Sequence, residues 1–363
     1  MSARFFFHPD TAKYDFGPRH PLRPERYGRT FQLLECHGFW ADRAQDPARL
    51  ATRQELETVH DPAYIDAVIE ASQTGKAASD YGLGYHGDNP PFIGMHHAAS
   101  AYCGATLAAA DAVVEGAQTA VNIGGGLHHA QRALASGFCI YNDPALAVRR
   151  LQSRFARVAY IDIDLHHGDG VQALFYDDPT VMTLSIHESG RWLYPGTGFV
   201  SERGEGTGVG TSLNLPMAPC TPDDIWQEAL FQFGLPAVER FKPDAIVLQM
   251  GCDPHHLDPL GHLSLTAQGW LEAVRRVRDW RLPTVALGGG GYNMSTVPRM
   301  WAAAMALLDG VELPDETPTD CPLRDEIPTL FDHAPFDLSP AQIAVAKEHW
   351  LKVRDELRSL GLP

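Results

Sequence analysis

The sequence is poor in cysteine, in basic residues and in long hydrophobic runs. Only 6 of its 363 residues are cysteine. None of them forms a CxxC pair, so their spacing indicates neither a disulfide framework nor a thiolate zinc site. No apolar run approaches the ~20 residues that a membrane-spanning helix needs, and the N-terminus lacks the hydrophobic core of a signal peptide. We therefore expect a protein of the reducing cytoplasm.

The shortage of basic residues also limits the classes of partner. Lys and Arg number 29 against 45 Asp and Glu, which gives a formal net charge of −16. A nucleic-acid-binding surface needs clustered Lys and Arg, so this composition argues against one. An acidic protein attracts cationic ligands instead, such as polyamines or lysine-rich peptides.

Short apolar runs alternate with longer helical patterns along the chain. This alternation predicts an α/β fold, in which helices flank a mostly parallel central sheet. We expect a single domain over residues 1–363, with the proline-rich stretch 313–335 as a surface excursion. The predicted strands are 119–123, 157–164, 180–186, 244–250 and 283–289, and the predicted helices are 96–114, 144–152, 223–241, 266–280, 296–309 and 340–360.

Glycine follows each predicted strand, together with His, Asp or Tyr. Parallel sheets bind ligands beyond the carboxyl ends of their strands. Because five strands deliver such groups to the same edge, the sequence predicts a functional site there. In chain order, the five segments read GGGLHHA, LHHGDG, HESG, GCDPHH and GGYN.

Aspartate and histidine alternate at the end of the second predicted strand, in YIDIDLHHGDG. Asp162, Asp164 and His166 are two residues apart, so they point to one face of an extended chain. Burying carboxylates is costly unless a partner or a metal compensates. Asp164, His166 and Asp253 would form a three-ligand site with a position open for water and substrate. Zinc suits this set, which also admits Fe(II), Co(II) or Mn(II); otherwise the aspartates cap loops and the histidine is a buried core residue.

Two adjacent histidines, His128 and His129, follow three glycines. Asp162 and Asp169 are available to orient them, and a His–Asp dyad beside a metal is general-base machinery. Tyr292 follows four glycines and could donate a hydrogen bond to a developing oxyanion. The alternative for Tyr292 is an ordinary flexible loop.

Taken together, these motifs resemble the zinc-dependent histone deacetylase family, including its bacterial acetoin-utilisation-protein-like members. The resemblance covers roughly residues 8 to 310 and leaves 311–363 as a C-terminal extension. It implies a single arginase/deacetylase-like α/β domain with the active site at the carboxyl ends of the strands. The motifs that carry it are HPLRPER, YIDAV, GDNPPF, GGGLHHA, ASGFCIYND, YIDIDLHHGDGVQ, YPGTG, GCD and GGGGYN.

The resemblance also implies a role for individual residues. Tyr292 would polarise the scissile carbonyl, and Arg26 would line an internal cavity for the released acetate. Tyr194 departs from the phenylalanine that is common in the family, which adds a hydroxyl to the tunnel wall. The implied zinc ligands are Asp164, His166 and Asp253; the catalytic histidines are His128 and His129, oriented by Asp162 and Asp169; the substrate contacts are Asp88 at the rim and Gly137, Phe138 and Tyr194 in an acyl-lysine tunnel; and a structural potassium ion would contact Asp162, Asp164, His166, Ser185 and Ile186.

The sequence thus predicts a zinc-dependent amidohydrolase that removes an acyl group from acyl-lysine in a protein or peptide. An acetylpolyamine amidohydrolase is the first alternative, although no long insertion narrows the entrance between Arg26 and Asp88. An arginase-type ureohydrolase would need two bridged metals. A non-catalytic acyl-lysine binder would have no use for the histidine pair and Tyr292.

Overall fold

The computed structural model describes residues 2–84, 87–334 and 337–362. Within them, eight strands form one sheet, and every neighbouring pair of strands is parallel. The strands are β1 (Arg4–Phe6), β2 (Gln45–Asp46), β3 (Thr119–Asn122), β4 (Val158–Asp162), β5 (Val181–Glu188), β6 (Ser212–Met217), β7 (Ala245–Gln249) and β8 (Thr284–Leu287). Their spatial order is β2-β1-β3-β8-β7-β4-β5-β6. The predicted α/β fold with a parallel central sheet is confirmed.

Helices connect these strands and cover the sheet, because parallel strands need crossover connections. The helices are α1 (Glu25–Cys36), α2 (Arg53–Leu56), α3 (Pro62–Thr74), α4 (Met95–Val114), α5 (Asp143–Leu151), α6 (Asp169–Leu174), α7 (Asp223–Ala229), α8 (Leu235–Phe241), α9 (Ala267–Asp279), α10 (Thr296–Leu308) and α11 (Pro340–Ser359). Short 3₁₀ turns lie at Pro9–Lys13, Phe39–Asp42, Ser79–Tyr81 and Gly206–Gly208.

The central strands are buried on both faces, as β4 illustrates. Ala159 and Ile161 pack into the hydrophobic cluster on one side of the sheet. Val158 and Tyr160 alternate with them and pack into the cluster on the other side. This burial explains why the strand reads as a continuous apolar run. It also holds the end of β4 rigidly where the aspartates begin.

The sequence prediction missed three strands and the four helices α1, α2, α3 and α6, and it made one interrupted helix continuous. β1, β2 and β6 were not predicted, and β2 and β6 are the two edges of the sheet. The predicted helix 223–241 is interrupted, because Leu230–Gly234 is a π-helical turn between α7 and α8. Pro236 follows this turn. A proline lacks the N–H of a regular helix, so the hydrogen-bonding pattern must shift beside it.

The proline-rich stretch is more firmly anchored than a surface excursion. Its side chains Leu323, Ile327 and Leu330 are buried in the core. Cys321 forms a disulfide with Cys36 of α1, across a Cα–Cα distance of 5.4 Å. The spacing of the cysteines did not predict this disulfide, because 285 residues separate the two in sequence. The last residue predicted for the stretch, Pro335, lies outside the described residues.

None of the helices in the described residues is both long and apolar enough to cross a membrane.

The division into a motif-bearing core of about residues 8–310 and an extension of 311–363 stays a prediction.

Candidate active site

The glycine-rich loops meet at the carboxyl edge of the sheet, as predicted. β3, β8, β7, β4 and β5 are consecutive in the sheet. Therefore the segments that follow them are spatial neighbours, although they come from distant parts of the chain. This edge carries acidic, imidazole and phenol side chains. The carboxyl edge of a parallel sheet is also where ligands usually bind.

Asp164, His166 and Asp253 form a compact buried group. The His166 Nδ1 atom lies 3.0 Å from Asp253 Oδ2 and 3.3 Å from Asp164 Oδ1. One donor atom from each residue lies within 4.8 Å of the others, which is the spacing of a metal-ligand set. Two come from the chain after β4 and the third from the chain after β7, so the adjacency of these strands creates the group.

Hydrogen bonds orient the two carboxylates of this group. Asp164 Oδ2 accepts hydrogen bonds from Gln249 Nε2 at 2.7 Å and from the Gly290 amide at 2.8 Å. Asp253 Oδ1 accepts one from the Leu165 amide at 3.0 Å. The other oxygen of each carboxylate faces the imidazole. Such partners fix the direction of ligand atoms and tune their basicity.

The charges and the backbone around the group also fit a bound cation. Burial alone would lower the pKa of His166, but the carboxylates of Asp164 and Asp253 raise it to about 10. The site therefore favours a positive charge between these groups. A Cβ atom at Gly290 would come within 2.1 Å of Asp253 Oδ2. Glycine there lets the backbone pass close to the carboxylates.

His128 and His129 each bind a different carboxylate, as the sequence predicted for Asp162 and Asp169. His128 Nδ1 lies 2.8 Å from Asp162 Oδ2, and His129 Nδ1 lies 2.6 Å from Asp169 Oδ1. The two Nε2 atoms are 3.0 Å apart. Because each Nδ1 is engaged by a carboxylate, the Nε2 atoms are left for proton exchange with a substrate.

The surroundings push the two imidazoles towards different protonation states. Burial alone would lower the pKa of His128, but the charges of Asp162 and Asp164 raise it to about 9. Burial and the neighbouring charge of His128 lower the pKa of His129 to about 4. One member of the pair is thus set up to hold a proton and the other to accept one.

Tyr292 lies beside these groups at the end of the loop that follows β8. Its ring makes an edge contact with Phe138, with the ring centroids 5.8 Å apart. Burial, together with the charges of Asp253 and Asp164, raises the pKa of Tyr292 well above the ordinary value. The phenol therefore keeps its proton at neutral pH and can act as a hydrogen-bond donor.

Two of the predicted tunnel residues, Gly137 and Tyr194, lie against His129. The rings of His129 and Tyr194 are 5.1 Å apart. Gly137 lies so close that a Cβ atom there would meet the His129 ring at 2.4 Å. The next residue, Phe138, has a φ of 67°, and its carbonyl accepts a 2.8 Å hydrogen bond from Tyr14 Oη. The additional hydroxyl of Tyr194 lies 2.5 Å from Ser136 Oγ.

Asp88 and Arg26 differ in their exposure to solvent. Asp88 is exposed, and its carbonyl accepts a 3.3 Å hydrogen bond from His20 Nε2. The His20 ring in turn packs against Phe138, at 4.4 Å between centroids, so His20 links Asp88 to Phe138. Arg26 is buried, and its guanidinium binds the carbonyls of Gly289 and Gly291 in the glycine loop and packs over Trp301.

The predicted potassium ligands come from the end of β4, from the chain just beyond it, and from the neighbouring strand β5. Ser185 of β5 pairs directly with Asp162 of β4, and Ile186 follows it in the same strand. All are buried. The Ser185 hydroxyl lies 2.8 Å from His187 Nδ1, a contact that the sequence gave no reason to expect.

A second histidine–aspartate group lies near the site but is already satisfied internally. It consists of His255, His256 and Asp332. His255 Nδ1 accepts a hydrogen bond from the Leu257 amide, so its Nε2–H can donate to Asp332, 3.1 Å away. The Arg299 guanidinium also contacts this group, 2.5 Å from Asp332 Oδ1. A cation in this place opposes metal binding, so the group is a structural anchor.

Several residues that support the site were not predicted. Tyr160 Oη donates to Asp162 at 2.6 Å, and Gln131 Nε2 donates to Asp169 at 2.9 Å. Asp258 accepts the amide of Tyr292 at 2.7 Å. The sequence did contain a signal for Tyr160, because it lies two residues before Asp162 and therefore on the same strand face.

Comparison with known proteins agrees with this geometry. The model of the histone deacetylase domain matches residues 20–308. Acetoin utilization protein AcuC of Bacillus subtilis (strain 168) is 44% identical over 332 residues, covering 87% of this chain and 84% of that protein. Histone deacetylase 8 of Xenopus tropicalis is 36% identical, covering 81% of each.

Solved structures give the same result. A crystal structure of an HDAC homologue complexed with SAHA has a TM-score of 0.86 and 30% identity, covering 96% of this chain and all of that one. An HDAC homologue from Aquifex aeolicus has the same TM-score and identity, covering 97% of this chain and all of its own. The chain therefore belongs to the histone deacetylase family, whose members are generally metal-dependent deacetylases.

Proposed function

We propose that this protein is a zinc-dependent deacylase that hydrolyses the amide of acyl-lysine in a protein or peptide. The observation that carries the proposal is the meeting of two features at one buried edge. One is the donor group of two carboxylates and one imidazole, and the other is the pair of histidine–carboxylate dyads beside it. A metal-ligand set next to paired imidazoles is suited to hydrolysis with water as the nucleophile.

Asp164, His166 and Asp253 are the proposed zinc ligands, and Fe²⁺ or Co²⁺ also suits this donor set. When bound, the metal would polarise the scissile carbonyl and increase the acidity of water. We further propose that Asp162, Asp164, His166, Ser185 and Ile186 hold a structural K⁺ through their oxygen atoms.

The proton transfers follow from the histidine pair. His129 accepts a proton from the attacking water at Nε2, while the oxygen of the water forms a bond to the acyl carbon. Tyr292 donates a hydrogen bond to the carbonyl oxygen as it gains charge. A protonated imidazole of the pair then gives a proton to the nitrogen as the C–N bond breaks. The products are a carboxylic acid and a free amine.

The remaining predicted residues would bind the substrate. Phe138 and Tyr194 would enclose the methylene chain of the lysine, with Gly137 leaving space beside it. Asp88 at the rim would accept hydrogen bonds from the backbone of a bound peptide. Arg26 would line the cavity that receives the released acid.

Two arguments from the contacts of the aspartates support this function over the alternatives. Asp162 Oδ2 is already bound by His128 and by Tyr160, which leaves it poorly placed to bridge a second metal as a ureohydrolase needs. The hydrogen bonds that His128 and His129 donate to Asp162 and Asp169 set up proton transfer, for which a non-catalytic binder has no need.

The substrate class is tested by comparing an acetyl-lysine peptide with acetylputrescine on the zinc-loaded protein. We expect kcat/KM for the peptide to exceed that for acetylputrescine by about tenfold or more, equivalent to at least ~1.4 kcal/mol. A large preference for acetylputrescine would instead identify a polyamine deacetylase. Absence of turnover with both compounds and with longer acyl-lysine peptides would contradict the proposed function.

A further inference from the structure

Asp258 is a buried carboxylate that holds two backbone amides. It lies five residues beyond Asp253 and is only 5% exposed. Its Oδ2 atom accepts the amide of Tyr292 at 2.7 Å, and its Oδ1 atom accepts the amide of Leu260 at 3.0 Å. Burial and the charge of Asp253 raise the pKa of Asp258 to about 7. A carboxylate in such surroundings is costly, which indicates that its contacts are needed.

The loop before Tyr292 is fixed by other groups. Arg26 donates to the carbonyls of Gly289 and Gly291, at 2.9 and 3.0 Å. Gly290 is held on both sides, because its carbonyl accepts the Cys252 amide at 2.8 Å and its own amide binds Asp164. These contacts determine the path of the glycines and hold the carbonyl of the peptide that leads into Tyr292, which leaves the amide of that peptide to be fixed by another group.

The amide of Tyr292 is the point at which Asp258 acts. Gly291 has a φ of 126°. Glycine populates positive and negative φ values about equally, so its own backbone does not fix this conformation. The peptide between Gly291 and Tyr292 therefore needs external partners to keep one orientation, and Arg26 binds its carbonyl oxygen. Asp258 binds the amide of the same peptide, on the side of the tyrosine. The neighbouring bond from Asn293 Nδ2 to the Leu257 carbonyl, at 2.9 Å, ties the same two segments together.

We propose that Asp258 is a positioning residue for Tyr292. By binding the amide of Tyr292, Asp258 sets the direction in which the phenol side chain projects from the glycine loop. This inference rests on the proposed function, in which Tyr292 donates to the substrate carbonyl. Asp258 does not touch the reacting atoms. It acts by keeping the phenol aligned before the substrate arrives, so its loss should affect the transition state more than ground-state binding.

The first part of the test is Asp258→Asn in the zinc-loaded protein. Asparagine has one acceptor oxygen in place of two, so one of the two amides loses its partner. We expect kcat to fall about 10- to 100-fold, as for a displaced catalytic group, with little change in KM. Metal content and hydroxamate affinity should remain close to wild type.

The second part is a double-mutant cycle with Tyr292→Phe. If Asp258 acts through the phenol, Asp258→Asn should cost little further activity once the hydroxyl is gone, so that the two effects are strongly non-additive. If the two losses multiply, Asp258 is merely structural and the inference is wrong. Should Asp258→Asn fail to fold, Asp258→Glu carries the same cycle, because the added methylene displaces the carboxylate.

Asp223→Asn is the matched control. Asp223 is also a carboxylate that accepts a backbone amide, that of Thr266 at 2.9 Å, but it has no contact with the tyrosine loop in the described residues. We expect it to leave kcat unchanged. A loss in this control equal to that of Asp258→Asn would overturn the inference. The single variant Tyr292→Phe separates the two proposals, because a small effect there refutes the role of Tyr292 itself.

Discussion

At the scale of single residues, the two adjacent histidines show how neighbouring charges give identical side chains different pKa values. His128 and His129 present the same atom, Nε2, and each binds a carboxylate through Nδ1. The difference lies in the charges around them, because His128 faces two aspartates while His129 faces the charged His128. Their pKa values therefore separate in opposite directions. A pair of this kind can both hold and accept a proton.

Tyr292→Phe is the sharpest prediction for a single residue. The change removes one hydroxyl and no proposed metal ligand. Two carboxylates neutralise the formal charge of a divalent metal, so a second donor to the carbonyl oxygen matters. Such a donor in a preorganised site is worth about 2.7–4 kcal/mol, so kcat should fall roughly 100- to 1000-fold. Steady-state turnover of an acetyl-lysine peptide by the variant and by wild type measures this decrease in kcat.

The controls for this variant are its metal content, melting curve and hydroxamate affinity, which should all stay near wild type. A decrease in turnover of less than about tenfold, or ~1.4 kcal/mol, would mean that Tyr292 is only a loop residue.

Sequence reasoning succeeded for residues that a motif or a regular spacing marks, and failed for supporting residues whose partners only the packing of the loops determines. Asp162, Asp164 and His166 lie two residues apart at the end of β4 and just beyond it, so their spacing alone grouped them. Asp258 and Gln249 were missed, because nothing in their sequence neighbourhood specifies which amide or carboxylate they contact. Only the packing of the loops after β7 and β8 determines this.

At the scale of elements, the strands that carry the site were predictable and the sheet edges were not. β4 and β7 are continuous apolar runs because they are covered on both faces. β2 has only two residues, Gln45 and Asp46. β6 contains Pro216, which is compatible with an edge strand but weakens the sequence signal.

The segment between α10 and α11 provides a prediction about stability. Asp332 anchors it by accepting hydrogen bonds from Arg299, from His255 and from the Ala267 amide. Asp332→Asn removes the charge from this anchor. Hydrogen bonds to charged groups contribute about 1.5–3 kcal/mol, so the free energy of unfolding should fall by about that amount. Urea denaturation near pH 7 measures it, with the exposed Asp320→Asn of the same segment as control.

The pKa of Asp332 determines how the stability difference between wild type and Asp332→Asn depends on pH. Burial alone would raise the pKa of Asp332, but the hydrogen bonds from His255 and Arg299 hold it below its usual value. A depressed pKa stabilises the fold above the unfolded-state value of about 4 and loses that contribution as the pH falls. The gap between wild type and Asp332→Asn should therefore shrink below about pH 4. A gap that is absent at pH 7 would show that the anchor does not stabilise the protein.

At the scale of the whole molecule, one parallel sheet converts distant segments into a single site. The family assignment follows from similarity along most of the chain, and the eight-stranded sheet supplies the adjacency that the proposed chemistry needs. The net charge of −16 is favourable for attracting lysine-rich peptides, although it does not by itself distinguish them from polyamines.

The most direct test of the account measures deacetylase activity after the bound metal has been removed by chelation and again after metal has been added back. Chelation should abolish turnover of an acetyl-lysine peptide, and zinc, Co(II) or Fe(II) should restore it at about one catalytic ion per chain, because a single three-ligand group is proposed. Asp253→Ala, which deletes one ligand, should neither retain the metal nor recover activity. Full turnover in the metal-free protein, or a requirement for two tightly bound transition-metal ions per chain, would contradict the account.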